Sequence, residues 1–188
     1  ISPNNKLISY GIDTTGRRQY SLHIKDLTTN KVFKEEISNT TGGSTWANDN
    51  KTLFYTLKDE TTLRSEAIYK HRLDTDPKLD ALIYEEMDDT FSVGVYKTKS
   101  KKYLVIGSYS TLTTEYQILN AETPDGDFKI FQPRTRGLEY GISHFEDAFY
   151  IVSNADGAQN FKLSKTSETQ TEKKILERCD TTQRRSVT

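Results

Sequence analysis

The sequence has little of several features that would point to a disulfide-bonded, membrane-spanning or nucleic-acid-binding protein. Its one cysteine, Cys179, excludes an internal disulfide and a zinc site built on cysteines. No run of 18 apolar residues is present, so no segment is long enough to cross a membrane as a helix. The 26 basic and 27 acidic residues leave a net charge of −1, which indicates neither a nucleic-acid nor a membrane partner.

What the sequence does have is aromatic residues and a repeat. The 11 tyrosines and 8 phenylalanines favour half-buried β-strands, and no segment carries a sustained apolar stripe at helical spacing. Short apolar runs recur at intervals of 45, 51 and 45 residues, counted between their first residues: 7–10, 52–55, 103–106 and 148–151. A second strand and a turn follow each run, as in 20–27 and 67–73.

Several short strands at this spacing are typical of β-propeller blades. We therefore predict an all-β fold, one partial β-propeller domain over residues 1–188, with about four four-stranded blades at approximately 1–40, 41–88, 89–136 and 137–188. Four blades are few for a closed ring, so we expect an arc of a larger propeller with strand edges exposed at both ends. The polar segment 177–188 carries no strand pattern, and its origin is open.

Several sequence blocks then resemble the N-terminal propeller of the oligopeptidase B group in the prolyl oligopeptidase family. The first is Arg17-Arg18-Gln19-Tyr20, and the likeness extends over about residues 1–165. The other blocks agree in order and spacing: 46–55, 69–73, 84–91, 97–106, 119–122 and 149–154.

This resemblance implies a seven-bladed propeller attached to an α/β-hydrolase domain that is absent here. The whole protein would be a serine endopeptidase that cleaves short peptides after Lys or Arg. Its propeller would limit substrate access to the catalytic cavity. The implied partners are the protein's own hydrolase domain and short basic peptides, without a cofactor. The expected compartment is the cytoplasm, with the periplasm left open.

The residues themselves supply no catalytic site. The Gly-x-Ser-x-Gly turn of a hydrolase nucleophile does not occur, and Ser44, which follows Gly43, is expected to be a turn serine. His23 and His71 occupy equivalent second strands in two blades, so they cannot share a site, and His144 is expected in a turn. No histidine or carboxylate pattern has metal-ligand spacing.

The candidate functional residues are Arg17 and Arg18, in a loop that should lie on one face of the propeller. Arginine forms planar, bidentate pairs with carboxylates, and the resemblance implies that one of the two makes an interdomain salt bridge that gates the enzyme. The acidic run 85–89 is expected to be a solvated edge, which could also attract cationic peptides. Trp46, Tyr10, Tyr55 and Ile106 are expected to pack between blades, and Asn48 and Asp49 to form a turn.

The alternative is a non-catalytic propeller that binds proteins. WD-repeat and kelch propellers do this, but they carry a Trp-Asp pair or a double glycine in each blade. This sequence has no Trp-Asp pair and only one double glycine, Gly42-Gly43. A propeller hydrolase with its site in the central channel would need matching polar clusters in several blades, which the repeats do not supply.

Overall fold

The computed structural model describes residues 1–169 and 180–181, and these residues form antiparallel β-sheets without an α-helix. Two single 3₁₀ turns, Pro77–Leu79 and Ala155–Gly157, interrupt the loops. The strands are β1 Leu7–Ile12, β2 Tyr20–Asp26, β3 Val32–Trp46, β4 Thr52–Lys58, β5 Ser65–Arg72, β6 Ala81–Glu85, β7 Ser92–Lys97, β8 Tyr103–Tyr109, β9 Thr114–Asn120, β10 Lys129–Gln132, β11 Tyr140–Phe145, β12 Ala148–Ser153, β13 Lys162–Ser167 and β14 Asp180–Thr181.

Consecutive strands pair with their neighbours, which is the meander topology of propeller blades. β7–β10 form one four-stranded sheet and β11–β14 another, while β1–β6 form a continuous six-stranded sheet. That continuity comes from β3, which pairs with β2 up to Thr40 and with β4 at Thr40 and again from Ser44 to Trp46, with a register shift between Thr40 and Ser44. We therefore describe blade 1 as β1, β2 and residues 32–40, and blade 2 as residues 44–46 with β4–β6. Blades 3 and 4 are β7–β10 and β11–β14.

The hydrophobic core consists of three clusters, each of which lies between two successive blades. Because side chains alternate along a strand, each central strand serves both of its neighbours. On β4, Leu53 and Tyr55 pack toward blade 1, whereas Phe54 packs toward blade 3. On β8, Leu104 joins Phe54, and Val105 joins the cluster shared with blade 4. This stacking of sheets face to face confirms the predicted all-β partial propeller.

Several predicted packing roles are confirmed, and some local predictions are wrong. Trp46 and Tyr55 lie in the core between blades 1 and 2, and Ile106 lies in the core between blades 2 and 3. Ser44 is not in a turn: it lies in β3, where its hydroxyl donates to Ser9 Oγ at 2.7 Å. His144 is not in a turn either, because it lies in β11 and is 4% exposed. Both errors have one cause, since polar residues within a strand can be satisfied by a neighbouring blade.

The turn and tail predictions have mixed outcomes. Asp49 accepts hydrogen bonds from the backbone of Lys51 and Thr52, as predicted for the turn. Asn48 instead donates across the blade boundary to the Lys101 carbonyl at 3.0 Å. The segment 177–188 was expected to lack a strand, yet Asp180–Thr181 pairs with β13. The rest of that segment lies outside the described residues.

The bend in β3 depends on a close approach of two glycines. Gly42 has φ +87°, which favours glycine, and a Cβ on Gly11 would lie 2.5 Å from the Gly42 Cα. We expect Gly11→Ala to destabilise blade 1 by about 1–3 kcal/mol, because one backbone must move away from the other. Gly43→Ala is the matched control, since nothing lies within 4 Å of its Cβ position. Hydrogen exchange of the segment 7–26 measures the difference, and equal protection in the two variants would contradict this account.

Candidate functional site

The loops of the blades form two opposite faces, and one of them carries Arg17 and Arg18. This crossover face consists of the β1–β2 loop of blade 1, the loops that join the second and third strands of blades 2, 3 and 4, and the crossovers between blades. The loops are 13–19, 59–64, 110–113 and 154–161, and the crossovers are 40–43, 86–91 and 133–139. Hydrogen bonds connect neighbouring loops of this face: Lys58 Nζ donates to the Arg18 carbonyl at 2.6 Å, and Asn154 Nδ2 donates to the Gly137 carbonyl at 2.9 Å.

Asp13 organises the loop that presents the arginine pair. Its Oδ1 accepts from the backbone N–H of Thr15 and Gly16, and its Oδ2 accepts from the Arg18 N–H at 2.7 Å. Arg18 itself has φ +58°, a conformation that the surrounding hydrogen bonds hold. Partial desolvation would raise the pKa of the Asp13 carboxyl, but these hydrogen bonds outweigh it and hold that pKa below its usual value.

Both arginine side chains are exposed, and within residues 1–169 neither forms a salt bridge or a side-chain hydrogen bond. The loop therefore holds two guanidinium groups toward solvent on a backbone that is fixed by Asp13. Two adjacent unpaired cations of this kind are free to meet carboxylates on another surface. The sequence correctly placed the pair in an inter-strand loop, and the gating role stays a prediction.

A second charged group on the crossover face is buried rather than exposed. Arg134, in the crossover after β10, donates to both oxygens of Glu86, at 2.5 Å and 3.3 Å. The Glu86 side chain is 5% exposed and that of Arg134 is 27% exposed. Tyr84 also donates to Glu86 at 2.8 Å, and the Asp88 N–H donates at 3.1 Å. The predicted solvated acidic edge at 85–89 is therefore wrong for Glu86, which ties the crossovers of blades 2 and 3 together.

Burial and hydrogen bonding oppose each other at Glu86. Desolvation alone would raise the pKa of its carboxyl, but the hydrogen bonds from Arg134 and Tyr84 prevail and place that pKa below its usual value. For Arg134 the hydrogen bond to Glu86 is the largest influence and raises the pKa of the guanidinium. Both groups are consequently charged at neutral pH, and the pair is a buried, hydrogen-bonded ion pair.

Further contacts fix the geometry around this pair. The Arg134 guanidinium carbon lies 3.7 Å from the centroid of the Phe91 ring, within cation–π distance. Glu115 is 11% exposed and accepts from the Arg134 backbone N–H at 2.8 Å. Arg64, from the neighbouring loop, donates to the Phe91 carbonyl at 3.1 Å. No sequence pattern indicates this cluster, because Glu86 and Arg134 are 48 positions apart.

An open cleft of about 550 Å³ lies next to the Arg134 side chain. We call it the crossover-face cleft, and it is lined by Asp88, Thr90 and Phe91 from one crossover, by residues 110–113, and by Arg134, Arg136 and Gly137 from the next crossover. Leu112 is 63% exposed and forms an apolar part of the wall. The cleft and the arginine loop lie on the same face.

The histidines serve structural roles on the opposite face or between strands. His71 is fully buried, with Nδ1 2.8 Å from Asp80 Oδ1. His144 lies 2.9 Å from Ser100 Oγ and 3.0 Å from Glu168 Oε2. His23 stacks on Tyr10 within blade 1, with ring centroids 5.6 Å apart. They do not come together, which agrees with the sequence-based interpretation of separate structural histidines.

The described residues contain neither a candidate metal site nor a candidate membrane-spanning helix. No group of three or more His, Cys, Asp or Glu side chains in 1–169 is arranged to hold a metal ion. In the same part of the chain, no helix is long and apolar enough to cross a membrane.

A match to a known protein family identifies the family of this chain. Residues 1–183 match the family described as "Prolyl oligopeptidase, N-terminal beta-propeller domain". The chain belongs to the prolyl oligopeptidase family. Among curated relatives of this family, dipeptidyl aminopeptidase BI of Pseudoxanthomonas mexicana is 39% identical over 163 residues, which are 87% of this chain and 22% of the relative. Protease 2 of Moraxella lacunata is 31% identical over 165 residues, which are 87% of this chain and 24% of the relative.

Solved structures of the family agree with the fold. Oligopeptidase B from Leishmania major superposes with a TM-score of 0.83 at 29% identity, covering 90% of this chain and 24% of that one. Oligopeptidase B from Trypanosoma brucei, described as a closed form with covalently bound antipain, has a TM-score of 0.79 at 25% identity and covers 89% and 24%. The chain thus spans less than a quarter of the length of these relatives, as part of their N-terminal propeller.

Proposed function

We propose that this prolyl oligopeptidase-family propeller segment belongs to a serine endopeptidase that cleaves short peptides after Lys or Arg. Its role would be to limit substrate access to the catalytic cavity, and catalysis would lie in an α/β-hydrolase domain outside these residues. Similarity to two oligopeptidase B structures supports the endopeptidase proposal. The family match favours a peptidase over the non-catalytic binding module.

The observation that carries the gating proposal is the exposed, unpaired state of Arg17 and Arg18 on a fixed loop. In this proposal, the crossover face meets the hydrolase domain, and the two guanidinium groups pair with carboxylates across the gap. Such pairs would favour the closed state by a small free energy, because each is partly exposed to solvent. A bias of this size is sufficient to regulate opening, since a lid equilibrium changes about tenfold for each 1.4 kcal/mol.

The test is the double variant Arg17→Ala/Arg18→Ala in the full-length protein. We expect kcat/KM on an N-acyl-arginyl aryl amide to fall about tenfold, because loss of one to two ion pairs costs about 1–2 kcal/mol of closure. The same measurement at high salt should show a smaller difference between wild type and variant, since salt screens exposed pairs.

The matched control is Lys6→Ala/Lys31→Ala, which removes two exposed cations from the opposite face. It should leave kcat/KM unchanged. Wild-type kinetics in the arginine double variant would remove the gating role. Failure of the wild-type protein to hydrolyse any acyl-arginyl amide would remove the proposed specificity.

A second candidate activity is removal of dipeptides from peptide N-termini. It is supported by the similarity to dipeptidyl aminopeptidase BI of Pseudoxanthomonas mexicana, at 39% identity. Two fluorogenic substrates separate the candidates: a dipeptidyl-arginyl amide with a blocked N-terminus and a free dipeptidyl amide. Faster hydrolysis of the blocked substrate supports the endopeptidase, and cleavage of the free dipeptide alone supports the aminopeptidase.

A further inference from the structure

We propose that the crossover-face cleft binds a cationic side chain of a peptide, with the Asp88 carboxylate as its counter-ion. The proposal rests on the proposed function only in assuming that peptides reach this face. It names a residue and a place for binding that the family relationship does not supply.

The first support is the state of the Asp88 carboxylate. Its Oδ1 accepts from the Thr90 N–H at 3.0 Å and the Thr90 hydroxyl at 2.6 Å, so the side chain is held in one orientation. Its Oδ2 has no hydrogen-bond partner within residues 1–169, and the residue is exposed at the cleft wall. The hydrogen bonds from Thr90 lower the pKa of Asp88, which keeps it ionised at neutral pH.

The second support is the shape and polarity of the cleft. Its volume of about 550 Å³ suits a small ligand or a single large side chain. Leu112 lines it and is 63% exposed, which offers an apolar surface beside the carboxylate. Lys and Arg side chains combine an apolar stem with a charged end, so they match this pairing of Leu112 with Asp88.

The third support is the charge balance around the cleft. Arg134 is already paired with Glu86 and lies 3.6 Å from Glu115, and these two carboxylates offset its charge. Arg134 and Arg64 also attract the Asp88 carboxylate, but less strongly than the hydrogen bonds from Thr90. The remaining lining cation, Arg136, is exposed and has no side-chain partner within residues 1–169. A cationic ligand would therefore be attracted by Asp88 and repelled by Arg136. An anionic ligand would show the opposite dependence, which makes the sign of the two effects a decisive test.

The experiment uses the full-length protein after treatment with diisopropyl fluorophosphate, which blocks a nucleophilic serine. Binding of fluorescein-labelled Gly-Gly-Arg-Gly-amide is measured by fluorescence anisotropy, beside the same peptide with Gln in place of Arg. The variants are Asp88→Asn, Arg136→Gln and the control Glu60→Gln. Asparagine keeps the oxygen that accepts from Thr90, so the local turn survives the substitution. Glu60 is exposed on the same face but does not line the cleft, and its substitution changes the charge by the same amount.

We expect the Arg peptide to bind more tightly than the Gln peptide. Asp88→Asn should weaken binding about fivefold, and Arg136→Gln should tighten it about twofold, as exposed charge pairs predict. Glu60→Gln should leave binding unchanged. Equal binding of the two peptides, equal affinity of wild type and Asp88→Asn, or tighter binding of Asp88→Asn would each overturn the proposal.

Failure here is distinguishable from failure of the proposed function. Aryl amide hydrolysis by the untreated protein tests the peptidase, and the anisotropy measurement does not depend on turnover. Arg-selective binding that depends on Asp88, without hydrolysis, would support the proposed cleft site and contradict the proposed peptidase activity. Hydrolysis with no Asp88-dependent binding would contradict only the proposed binding site in the cleft.

Discussion

Replacing Arg134 with methionine is expected to destabilise the crossover between blades 2 and 3 by about 3–5 kcal/mol. The reason is the Glu86 carboxylate, which is 5% exposed and would lose both of its hydrogen bonds from Arg134. Leaving a buried charge unpaired costs far more folding free energy than removing an exposed ion pair. Hydrogen exchange of the segments 81–97 and 129–140, measured in the full-length protein, reports the local free energy of opening.

Arg136→Met is the matched control for this experiment, because Arg136 is exposed and lies two positions away. We expect its effect to stay within about 0.5 kcal/mol. The double variant Glu86→Leu/Arg134→Met should recover part of the loss, because it removes both buried charges together. Equal protection in Arg134→Met and Arg136→Met would show that the buried pair contributes nothing to stability.

The same pair gives a pH dependence with a definite sign. The pKa of Glu86 is lower in the folded protein than its usual value, so the folded state binds fewer protons at this group than the unfolded state does. Its contribution to stability is present above the pKa of an unfolded Glu, about 4.3. That contribution is lost as the pH falls through the lower folded pKa. In Arg134→Met this acid-dependent loss should be absent, because the cation that lowers the pKa is gone.

Leu104→Ala is expected to cost about 2–5 kcal/mol in the stability of blades 2 and 3. Leu104 is fully buried on β8, in the cluster that also contains Phe54 and Ile68 of blade 2. Truncation leaves a cavity between two sheets whose backbones are each fixed by strand pairing, so the gap cannot close fully. Hydrogen exchange of the segments 52–58 and 103–109 should lose protection together, since the lost contact belongs to both blades.

Leu82→Ala provides the control for Leu104, because it removes the same atoms from a strand position that is 48% exposed on β6. Its expected cost is below about 1 kcal/mol. A loss confined to β8 in Leu104→Ala, with blade 2 unchanged, would argue against a shared inter-blade core.

Much of the fold was readable from the sequence because its signal is local and repeated. Apolar residues are arranged as in β-strands in four runs, 7–10, 52–55, 103–106 and 148–151. The recurrence of these runs indicates blades before any contact is known. His23 and His71 show where this reading ends. Their strands, β2 and β5, are equivalent, but their positions differ, because His23 pairs with Tyr10, the last residue of its run, and His71 pairs with Leu53, the second residue of its run. His71 is buried beside Asp80, while His23 stacks on Tyr10. The repeat predicts the strand on which a residue lies, and its neighbours in the next loop or strand decide its environment.

The sequence by itself determined the strand-forming segments, their repetition as blades, the exposed arginine pair and, through its blocks of similarity, the family. The tertiary structure alone decided that Ser44 and His144 lie in strands, that Glu86 is buried against Arg134, and that a cleft opens beside Asp88. The physical reason is the sequence distance over which each kind of interaction acts. Strand propensity and turn chemistry act over a few neighbouring residues, whereas a pairing across 48 positions depends on how one sheet stacks against the next.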